Sequence, residues 1–379
     1  MKRVALLIET SNVYGRGLLR GIRSWSREND SWSFRLIEQG RGATTPSWLE
    51  SWDGDGIIAR IENPQIGSFL ETLAIPVVDV SAALEKPSFP QVVTDSQEVV
   101  RLAVEHFESL GLRNFAYCGD DGFNWSRLRY RYLDETLTGR GFECLARNER
   151  ISRPEAEIRR LGKWLLDLPK PVGVLACYDV RGHEVMEACR DVGLKVPEEV
   201  AVMGVHNDEI LCELCDPPMS SIIPDTHKAG YEAAGILNRL MKSGKRSLNR
   251  ISSVQVEPLG VAVRQSTNVI AVPDRKIARA LTFIKDNACK GIGVSDVLRV
   301  EPMARTQLER KFRKLIGRSP REEIERVRML RVQELLIHSS LPISSIADDA
   351  GFEYPEYLTV AFKRRFGMTP RAYRLERTR

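Results

Sequence analysis

The chain has 379 residues, with 56 Lys and Arg against 51 Asp and Glu and a formal net charge of +5. This length predicts two or three domains, and the absence of an apolar run of roughly 20 residues argues against a membrane-spanning protein. The cysteines are odd in number, seven, and lie scattered through apolar segments, which predicts reduced thiols in a cytoplasmic protein. The apolar run from Val4 to Ile8 is too short for a signal peptide and predicts a strand.

Short apolar runs alternate with longer amphipathic stretches over the first 265 residues, which predicts a strand-helix-strand pattern with mostly parallel sheets. Strands are predicted at 3–9, 32–37, 55–60, 75–80, 114–118, 172–177, 200–205 and 253–257. Helices are predicted at 15–28, 64–73, 95–110, 125–139, 155–167, 180–192 and 226–243. Two sheets are favoured over one doubly wound sheet, because the long helix at 95–110 follows a short extended segment and is placed to carry the chain between lobes.

Polar and aromatic side chains follow four of the predicted strands. They are Ser11, Asn12, Tyr14 and Arg16 after the first strand; Asp120, Asp121, Asn124, Trp125 and Arg129 after 114–118; Tyr178, Asp179 and Arg181 after 172–177; and His206, Asn207, Asp208 and Glu209 after 200–205. Ligands of parallel α/β folds bind at the carboxyl ends of strands. A single polar residue at the end of a strand is ordinarily a loop or helix-cap residue without a role in ligand binding. Four clusters of charged groups, amides and aromatic rings together predict a polyol site, where charged groups bind hydroxyls and a ring covers the C–H face.

A dinucleotide-binding enzyme is the alternative. Gly15, Gly17 and Gly21 open a helix after a strand, and Glu38 ends the second strand, as in a nucleotide-binding fingerprint. The residues from Thr10 to Tyr14 separate the strand from the first glycine, however, and the last glycine spacing is one residue too long. An NAD(P)-dependent or other sugar-handling enzyme with a Rossmann-like domain is therefore less favoured, and no cofactor is expected.

The sequence offers little evidence for a metal site. Cys212 and Cys215 form a C-x-x-C pair, but no second pair and no histidine at ligand spacing lies nearby. No catalytic residues are predicted either, because no Ser-His-Asp grouping or Walker loop is recognised.

A polar segment that ends in proline predicts a linker at 266–274, between a first region, 1–265, and a last region, 275–379. Net charge changes sign there: residues 274–379 hold 23 Lys and Arg against 14 Asp and Glu, net +9, whereas residues 1–273 are net −4. A positive field confined to the last hundred residues suits a polyanion partner. We expect limited proteolysis to cut between Gln265 and Asp274.

The most informative feature of the last region is an internal repeat, in which residues 308–320 return fifty positions later as 358–370. The shared positions are Leu308, Phe312, Arg313, Lys314, Gly317, Ser319 and Pro320, matched by Leu358, Phe362, Lys363, Arg364, Gly367, Thr369 and Pro370. Apolar residues four apart share one helical face, basic residues follow, and glycine before Ser/Thr-Pro ends the helix. Each copy is therefore predicted to be a capped, basic, amphipathic helix.

The residues before the second copy predict a helix-turn-helix. Ala347 and Ala350 are small enough for close packing, and Gly351 is free to turn the chain. The first copy has Val297, Val300 and Glu301 at these places, so its turn must be built differently. The alternative is a helical repeat with a solvated basic face. It is disfavoured because the cap, the turn and the basic positions recur in register.

Together these features resemble the XylR-type xylose-operon regulators, a bacterial family that joins a LacI-type, periplasmic-binding-protein-like sensor to an AraC-type DNA-binding domain. The resemblance rests on residues 176–182, 204–209 and 283–298 and extends from about residue 3 to residue 375. It implies a two-lobed α/β sensor followed by an all-α domain with two helix-turn-helix units. It also implies an activator that binds double-stranded promoter DNA as a homodimer, responds to a monosaccharide, D-xylose, and works with RNA polymerase, without a membrane.

The resemblance also assigns the sugar-binding residues. They are Tyr14, Arg16, Trp125, Asp179, Arg181, His206 and Asn207. Two departures stand out, because the family usually has Asn-Asp at Tyr178-Asp179 and Asp at His206. An aspartate accepts two sugar hydroxyls, whereas a neutral histidine offers one acceptor and one donor. Weaker sugar binding than in the family is therefore expected.

DNA-reading residues follow from the register of the repeat. They are Arg305, Thr306, Gln307, Glu309 and Arg310 in the first unit and Tyr354, Pro355, Glu356 and Val360 in the second. Arginine pairs with guanine, glutamine with adenine and glutamate with cytosine. Lys363 and Arg364 lie past the end that enters the groove and are expected to hold phosphates. Ala304 replaces the usual serine, which removes a helix cap worth about 0.5–2 kcal/mol.

Overall fold

The computed structural model describes residues 1–36, 47–149, 154–243, 253–268 and 274–377. The chain divides into two compact units, of which the first comprises residues 1–107 and 113–269 and the second comprises residues 108–112 and 270–379. The cleavage site expected between Gln265 and Asp274 falls mostly on residues 269–273, which lie outside the described residues, and it stays a prediction.

The first lobe of the first unit contains one six-stranded sheet. Its elements are β1 (Lys2–Leu7), α1 (Val13–Glu28), β2 (Trp32–Leu36), β3 (Gly56–Ala59), α2 (Pro64–Thr72), β4 (Val77–Asp79), β5 (Gln91–Thr94), α8 (Thr226–Ser243) and β11 (Ser253–Val256). The strands pair in parallel in the order β11-β5-β4-β3-β1-β2. Buried Val, Ile and Leu side chains of these strands pack on α1 and α8.

The second lobe contains a second six-stranded sheet, reached through α3 (Ser96–Ser109). Its elements are β6 (Asn114–Gly119), α4 (Asn124–Thr138), β7 (Cys144–Asn148), α5 (Pro154–Asp167), β8 (Val172–Ala176), α6 (Asp179–Asp191), β9 (Val200–Val205), α7 (Glu209–Leu214), β10 (Ser220–Ile223) and β12 (Gly260–Ala262). The order is β12-β10-β9-β8-β6-β7, parallel except for β12. The prediction of two sheets connected by the long helix is thus confirmed. The strands β7, β10 and β12 and the helix α7 were not predicted, and β5 was predicted only as a short extended segment.

The glycine run near the start of the chain serves helix packing. A Cβ at Gly17 would lie 1.9 Å from Oγ1 of Thr226, and a Cβ at Gly21 would lie 2.0 Å from the carbonyl oxygen of His227. Both neighbours belong to α8, so the glycines let the α1 and α8 backbones approach closely. This close packing explains Gly17 and Gly21 of the pattern that resembled a dinucleotide fingerprint, whereas a Cβ at Gly15 would lie 2.0 Å from the carbonyl oxygen of Glu9. Glu38, the acidic residue of that pattern, lies outside the described residues.

The second unit is helical throughout its described part. Its helices are α9 (Arg275–Asn287), α10 (Val294–Val300), α11 (Arg305–Ile316), α12 (Pro320–His338), α13 (Ile343–Asp349), α14 (Pro355–Phe366) and α15 (Pro370–Arg377). The pairs α10–α11 and α13–α14 are the two helix-turn-helix units, and α12 lies between them in sequence. Each helix-turn-helix unit has its own buried core. This core is centred on Leu308 and Phe312 in the first helix-turn-helix unit and on Leu358 and Phe362 in the second.

The two turns differ as the sequence predicted. Gly351 has a φ of 75°, and a Cβ there would lie 2.7 Å from the backbone of Cys289. Only glycine fits both this conformation and this close approach. Glu301, at the matching place in the first helix-turn-helix unit, has a φ of −119°, and its buried carboxylate forms an ion pair with Arg279. Both recognition helices end at a left-handed glycine, Gly317 and Gly367.

Across the described residues, no helix is both long enough and apolar enough to cross a bilayer.

Candidate functional site

Aromatic rings from both lobes meet where the carboxyl ends of the strands face one another. The ring of Tyr14 lies 4.9 Å from that of His206, which lies 6.3 Å from Tyr178, and Tyr178 lies 5.8 Å from Trp125. Tyr14 belongs to the first lobe and the other three residues to the second. The predicted polar clusters after β1, β6, β8 and β9 are thus brought together between the lobes.

The first lobe holds Tyr14 in place from several directions. Asn12 caps α1 by accepting a hydrogen bond from the backbone N–H of Gly15 at 2.8 Å, which fixes the loop before Tyr14. The Tyr14 hydroxyl lies 3.1 Å from Oγ1 of Thr94, and the Arg60 guanidinium lies 5.3 Å from the Tyr14 ring. Cation–π contact and hydrogen bonding together orient the ring toward the second lobe.

Two arginines of the first lobe have different partners. Arg60 is buried and forms ion pairs with Glu9 and Glu62. Arg16 donates a hydrogen bond to the carbonyl oxygen of Thr10 at 2.9 Å, so its guanidinium folds back over the loop after β1. Arg60 is thus balanced by carboxylates, and Arg16 contacts the loop that precedes Tyr14 and α1.

Arg129 of α4 is a buried cation with few partners. It is 4% exposed, donates to the carbonyl oxygen of Cys177, and lies 5.2 Å from the Trp125 ring. Its Nε has no hydrogen-bond partner, and within the described residues it forms no ion pair. Desolvation lowers the pKa of this guanidinium. A buried charge without a carboxylate partner is costly, and a hydroxyl-rich ligand in this place would compensate it.

Asp179 connects α6 to the loop after β9. Its carboxylate accepts hydrogen bonds from the Asp208 backbone N–H at 2.7 Å and from the Ser221 hydroxyl at 2.6 Å. Burial raises the pKa of Asp179 to about 7. Because both oxygens are engaged inside the lobe, the carboxylate is placed to hold the neighbouring loop.

His206 and Asn207 occupy that loop in conformations rare for residues other than glycine. Their φ angles are 113° and 50°. The Asn207 backbone N–H donates to Oγ of Ser221 at 2.9 Å, and the buried Oδ1 of Asn207 has no hydrogen-bond partner. Strained backbone and an unsatisfied polar atom both concentrate at ligand sites.

Arg181 has partners away from these rings. It is fully buried, and its two terminal nitrogens donate to Glu157 at 2.6 Å and to Glu184 at 2.7 Å. These ion pairs connect α5 and α6 within the second lobe. A sugar-binding role for Arg181 stays a prediction to which its contacts add no support.

Arg129 stood in the polar cluster predicted after β6, but the resemblance did not assign it to the sugar, and Arg60 was in neither set. Arg129 lies four positions after Trp125, a spacing that puts both on one face of a helix, and this signal was present in the sequence. Arg60 directly follows the buried strand β3, whose carboxyl end was not considered as a source of ligand-binding groups.

The recognition helix of the first helix-turn-helix unit, α11, presents its polar residues to solvent. Arg305, Thr306, Gln307 and Arg310 are exposed, whereas Leu308 is buried. Glu309 is half-exposed and accepts a hydrogen bond from Nε of Arg305 at 3.2 Å. Ala304 provides no side-chain cap, as expected.

The recognition helix of the second helix-turn-helix unit, α14, also exposes the predicted residues. Tyr354, Glu356 and Val360 are exposed, and Pro355 is half-buried at the first helical position. Lys363 and Arg364 are exposed in the last turn, where Arg364 donates to Glu325 of α12 at 2.9 Å. Basic residues beside both reading helices suit phosphate contacts.

The C-x-x-C pair lies on and after α7 in the second lobe. Cys212 and Cys215 are both buried. Burial raises the pKa of the Cys215 thiol to about 11 and that of Cys212 still further above its ordinary value. The reactive thiolate form is therefore scarce at neutral pH, and the described residues contain no group of three or more His, Cys, Asp or Glu side chains that could hold a metal ion.

Three protein-family descriptions match successive parts of the chain. Residues 3–97 match the XylR N-terminal domain, residues 104–267 match a periplasmic binding protein-like domain, and residues 299–376 match a helix-turn-helix domain. The matches follow the order of the first lobe, most of the second lobe and the helical unit.

Known proteins match over almost the whole chain. The xylose operon regulatory protein of Escherichia coli strain K12 is 29% identical over 98% of this chain and 96% of its own length. The protein of the same name from Haemophilus influenzae is 27% identical over 98% of each chain. The solved structure of the xylose-binding transcription activator XylR is 27% identical, with a TM-score of 0.63, and covers 98% of this chain and 97% of its own.

A LacI family transcriptional regulator from Enterococcus faecium, solved with bound ribose, shares the fold over 70% of this chain and 98% of its own. Its sequence identity is 18% and its TM-score 0.56. At this identity the likeness shows the fold of the two-lobed unit alone.

Proposed function

Because this chain belongs to the XylR-type regulators, in which a periplasmic-binding-protein-like sensor is joined to a helix-turn-helix domain, we propose that it binds D-xylose between its lobes and activates transcription. The chain is a sugar-responsive, DNA-binding transcription regulator, and the enzyme alternative is wrong. Proteins similar over almost the full length are named for xylose, which motivates the choice of this pentose.

The observation that carries the proposal is the chemistry between the lobes. Tyr14 and Trp125 offer aromatic faces for the C–H side of a sugar ring. Arg129 offers a guanidinium without a carboxylate partner in the described residues, and Asn207 offers an unsatisfied Oδ1. A pentose supplies both hydroxyl acceptors and hydroxyl donors, so it satisfies these groups at once.

Sugar binding changes DNA binding by increasing the fraction of molecules whose lobes are closed. Tyr14 and His206 come from different lobes, so a ligand that contacts both favours the closed arrangement over the open one. Closure changes how the sensors of two copies pair in a homodimer, and this pairing sets the spacing of the DNA-binding units. The regulator then acts in the cytoplasm, at the promoter, together with RNA polymerase.

Each copy reads DNA with both helix-turn-helix units. The helices α11 and α14 enter the major groove about one helical turn, roughly 34 Å, apart. Arg305, Gln307 and Arg310 read bases from α11, and Glu356 reads a base from α14. Lys363 and Arg364 hold phosphates and contribute affinity without sequence preference.

Calorimetry of the full chain with D-xylose tests the sugar site. The native chain should bind the pentose, whereas Arg129→Met should bind at least about tenfold more weakly because it cannot form a charged hydrogen bond to a hydroxyl. Methionine retains an apolar stem, so the buried position stays filled.

Arg131→Met is the matched control. Arg131 lies on the same helix but is exposed and paired with Glu135, so this variant should bind like the native chain. Equal affinity of the native chain and Arg129→Met would remove Arg129 from the site. If the native chain binds no pentose or hexose at millimolar concentration, the proposed effector site fails.

A further inference from the structure

The two recognition helices present different chemistry at equivalent positions. The repeat aligns Gln307 and Arg310 of α11 with Tyr357 and Val360 of α14, fifty positions later. The first pair carries hydrogen-bonding groups at exposed positions, and the second pair carries apolar surface at exposed positions. The same helical face thus has a polar character in one unit and an apolar character in the other.

The apolar face of α14 is a continuous stripe. Tyr354 is 59% exposed, Tyr357 is 45% exposed and Val360 is 64% exposed, and their spacing of three residues places them on one side of the helix. The Tyr357 ring lies 6.1 Å from the buried ring of Phe352, which orients it. Thr359 donates its hydroxyl to the carbonyl oxygen of Pro355 at 3.0 Å, so it offers no free donor to a base.

The positive charge around this stripe indicates that its binding partner is DNA. Lys363 and Arg364 follow it on the same helix and are exposed, and the region from residue 274 onward has a net charge of +9. A phosphate backbone beside the stripe complements these charges. In the major groove, thymine alone presents a methyl group, and apolar side chains contact it there.

We propose that the second helix-turn-helix unit recognises thymine methyl groups through apolar contact from Val360 and Tyr357, beside the base that Glu356 reads. The first helix-turn-helix unit instead reads its bases through hydrogen bonds from Arg305, Gln307 and Arg310. This inference rests on the proposed DNA-binding function and adds the base class that each unit reads. The preferred site therefore has a thymine-containing half under α14 and a half with guanine or adenine contacts under α11.

The test begins with a duplex selected by the full chain from a random library. In this duplex, deoxyuridine replaces thymine in one half-site at a time, which removes only the 5-methyl group. Removal of a methyl group that the protein covers should weaken binding by about fourfold, the equivalent of about 0.8 kcal/mol per buried carbon. The weakening should occur in one half-site only.

Variants assign that half-site to α14. Val360→Ala and Tyr357→Ala should each reduce the preference for thymine over deoxyuridine, since each removes part of the contacting surface. Leu330→Ala, an exposed apolar residue of α12, is the matched control and should keep the native preference for thymine. Arg310→Ala should also keep that preference while losing selectivity in the other half-site.

Deoxyuridine duplexes bound as tightly as thymine duplexes by the native chain would overturn the inference and leave the DNA-binding function intact. A preference for thymine that persists undiminished in both Val360→Ala and Tyr357→Ala would also overturn it. A full chain that enriches no duplex sequence would overturn the inference together with the function on which it rests.

Discussion

The ring of Tyr14, in the first turn of α1, lies 4.9 Å from the ring of His206, in the loop after β9. One residue comes from the first lobe and the other from the second, so the distance between their rings shows how closely the lobes approach at this point. A sugar held between the lobes would contact the elements that carry both residues. We therefore expect a ligand between the lobes to favour their closed arrangement.

His206→Asp should strengthen binding of D-xylose. A carboxylate accepts charge-assisted hydrogen bonds from two hydroxyls, whereas a neutral imidazole has a single acceptor nitrogen. We expect an affinity gain of about tenfold in calorimetry at pH 8. His227→Asp is an unsuitable control because His227 contacts Ser24, so His183→Asp, on α6, is used instead. Unchanged affinity in His206→Asp would place the sugar away from the loop after β9.

Asp179→Asn should flatten the pH dependence of sensor stability. The pKa of Asp179, about 7 in the folded protein, lies above the ordinary value of about 3.9. The folded state thus retains a proton that the unfolded state releases, and this stabilisation is complete below pH ~4 and is lost as the pH rises to ~7. Its size is about 1.4 kcal/mol for each unit of pKa shift.

Urea unfolding of the native chain and Asp179→Asn at several pH values between 4 and 8 measures this effect. The difference in unfolding free energy between the two proteins should change across that range and become constant above it. The charged neighbours Asp208 and Arg264 also act on Asp179 and are present in both proteins. Parallel pH profiles for the two proteins would show that Asp179 does not titrate there.

Arg310→Ala and Lys363→Ala should have different effects on DNA binding. Removal of a bidentate hydrogen bond from Arg310 should cost about 1–3 kcal/mol and relax the preference at one base pair. Removal of Lys363 should weaken binding to all sequences about equally and reduce the salt dependence by about one counterion. Anisotropy titrations on selected and random duplexes separate the two outcomes. An equal weakening of Arg310→Ala on both duplexes would exclude it from the base readers.

Gly21→Ala should destabilise the first lobe by about 1–3 kcal/mol, because its Cβ would lie 2.0 Å from a backbone oxygen of α8. Gly235→Ala is the matched control. Its Cβ would meet Trp25 at 3.4 Å, an ordinary contact, so replacement of a helical glycine should leave stability unchanged or raise it by about 0.5–1 kcal/mol. Thermal unfolding measures both. A Gly21→Ala chain as stable as the Gly235→Ala chain would contradict the close packing of α1 and α8.

The sequence was most informative where a pattern is local. The repeat at 308–320 and 358–370 predicted both recognition helices and their terminal glycines, because helix periodicity and caps depend on neighbouring residues. The strand β10 was missed because it begins with Ser220 and Ser221, which are buried only because distant residues accept and donate their hydrogen bonds.

Non-local contacts also limited the prediction of the site. The sequence placed Arg181 after β8 with the sugar-binding residues, but its partners are Glu157 and Glu184. The resemblance did not assign Arg129 to the sugar, and the significance of this residue comes from burial without a carboxylate partner in the described residues. Neither property follows from residue type or spacing, since both depend on how α4, α5 and α6 pack on one sheet.

The most direct test of this account is the affinity of the full chain for its selected duplex, measured by fluorescence anisotropy with and without saturating D-xylose. Sugar and DNA must change each other's affinity by the same factor if they are coupled through one conformational equilibrium. D-xylose should tighten binding to the native duplex severalfold, and Arg129→Met should reduce this gain at the same sugar concentration. Identical DNA affinity with and without the sugar, under conditions where calorimetry shows that the sugar is bound, would contradict it.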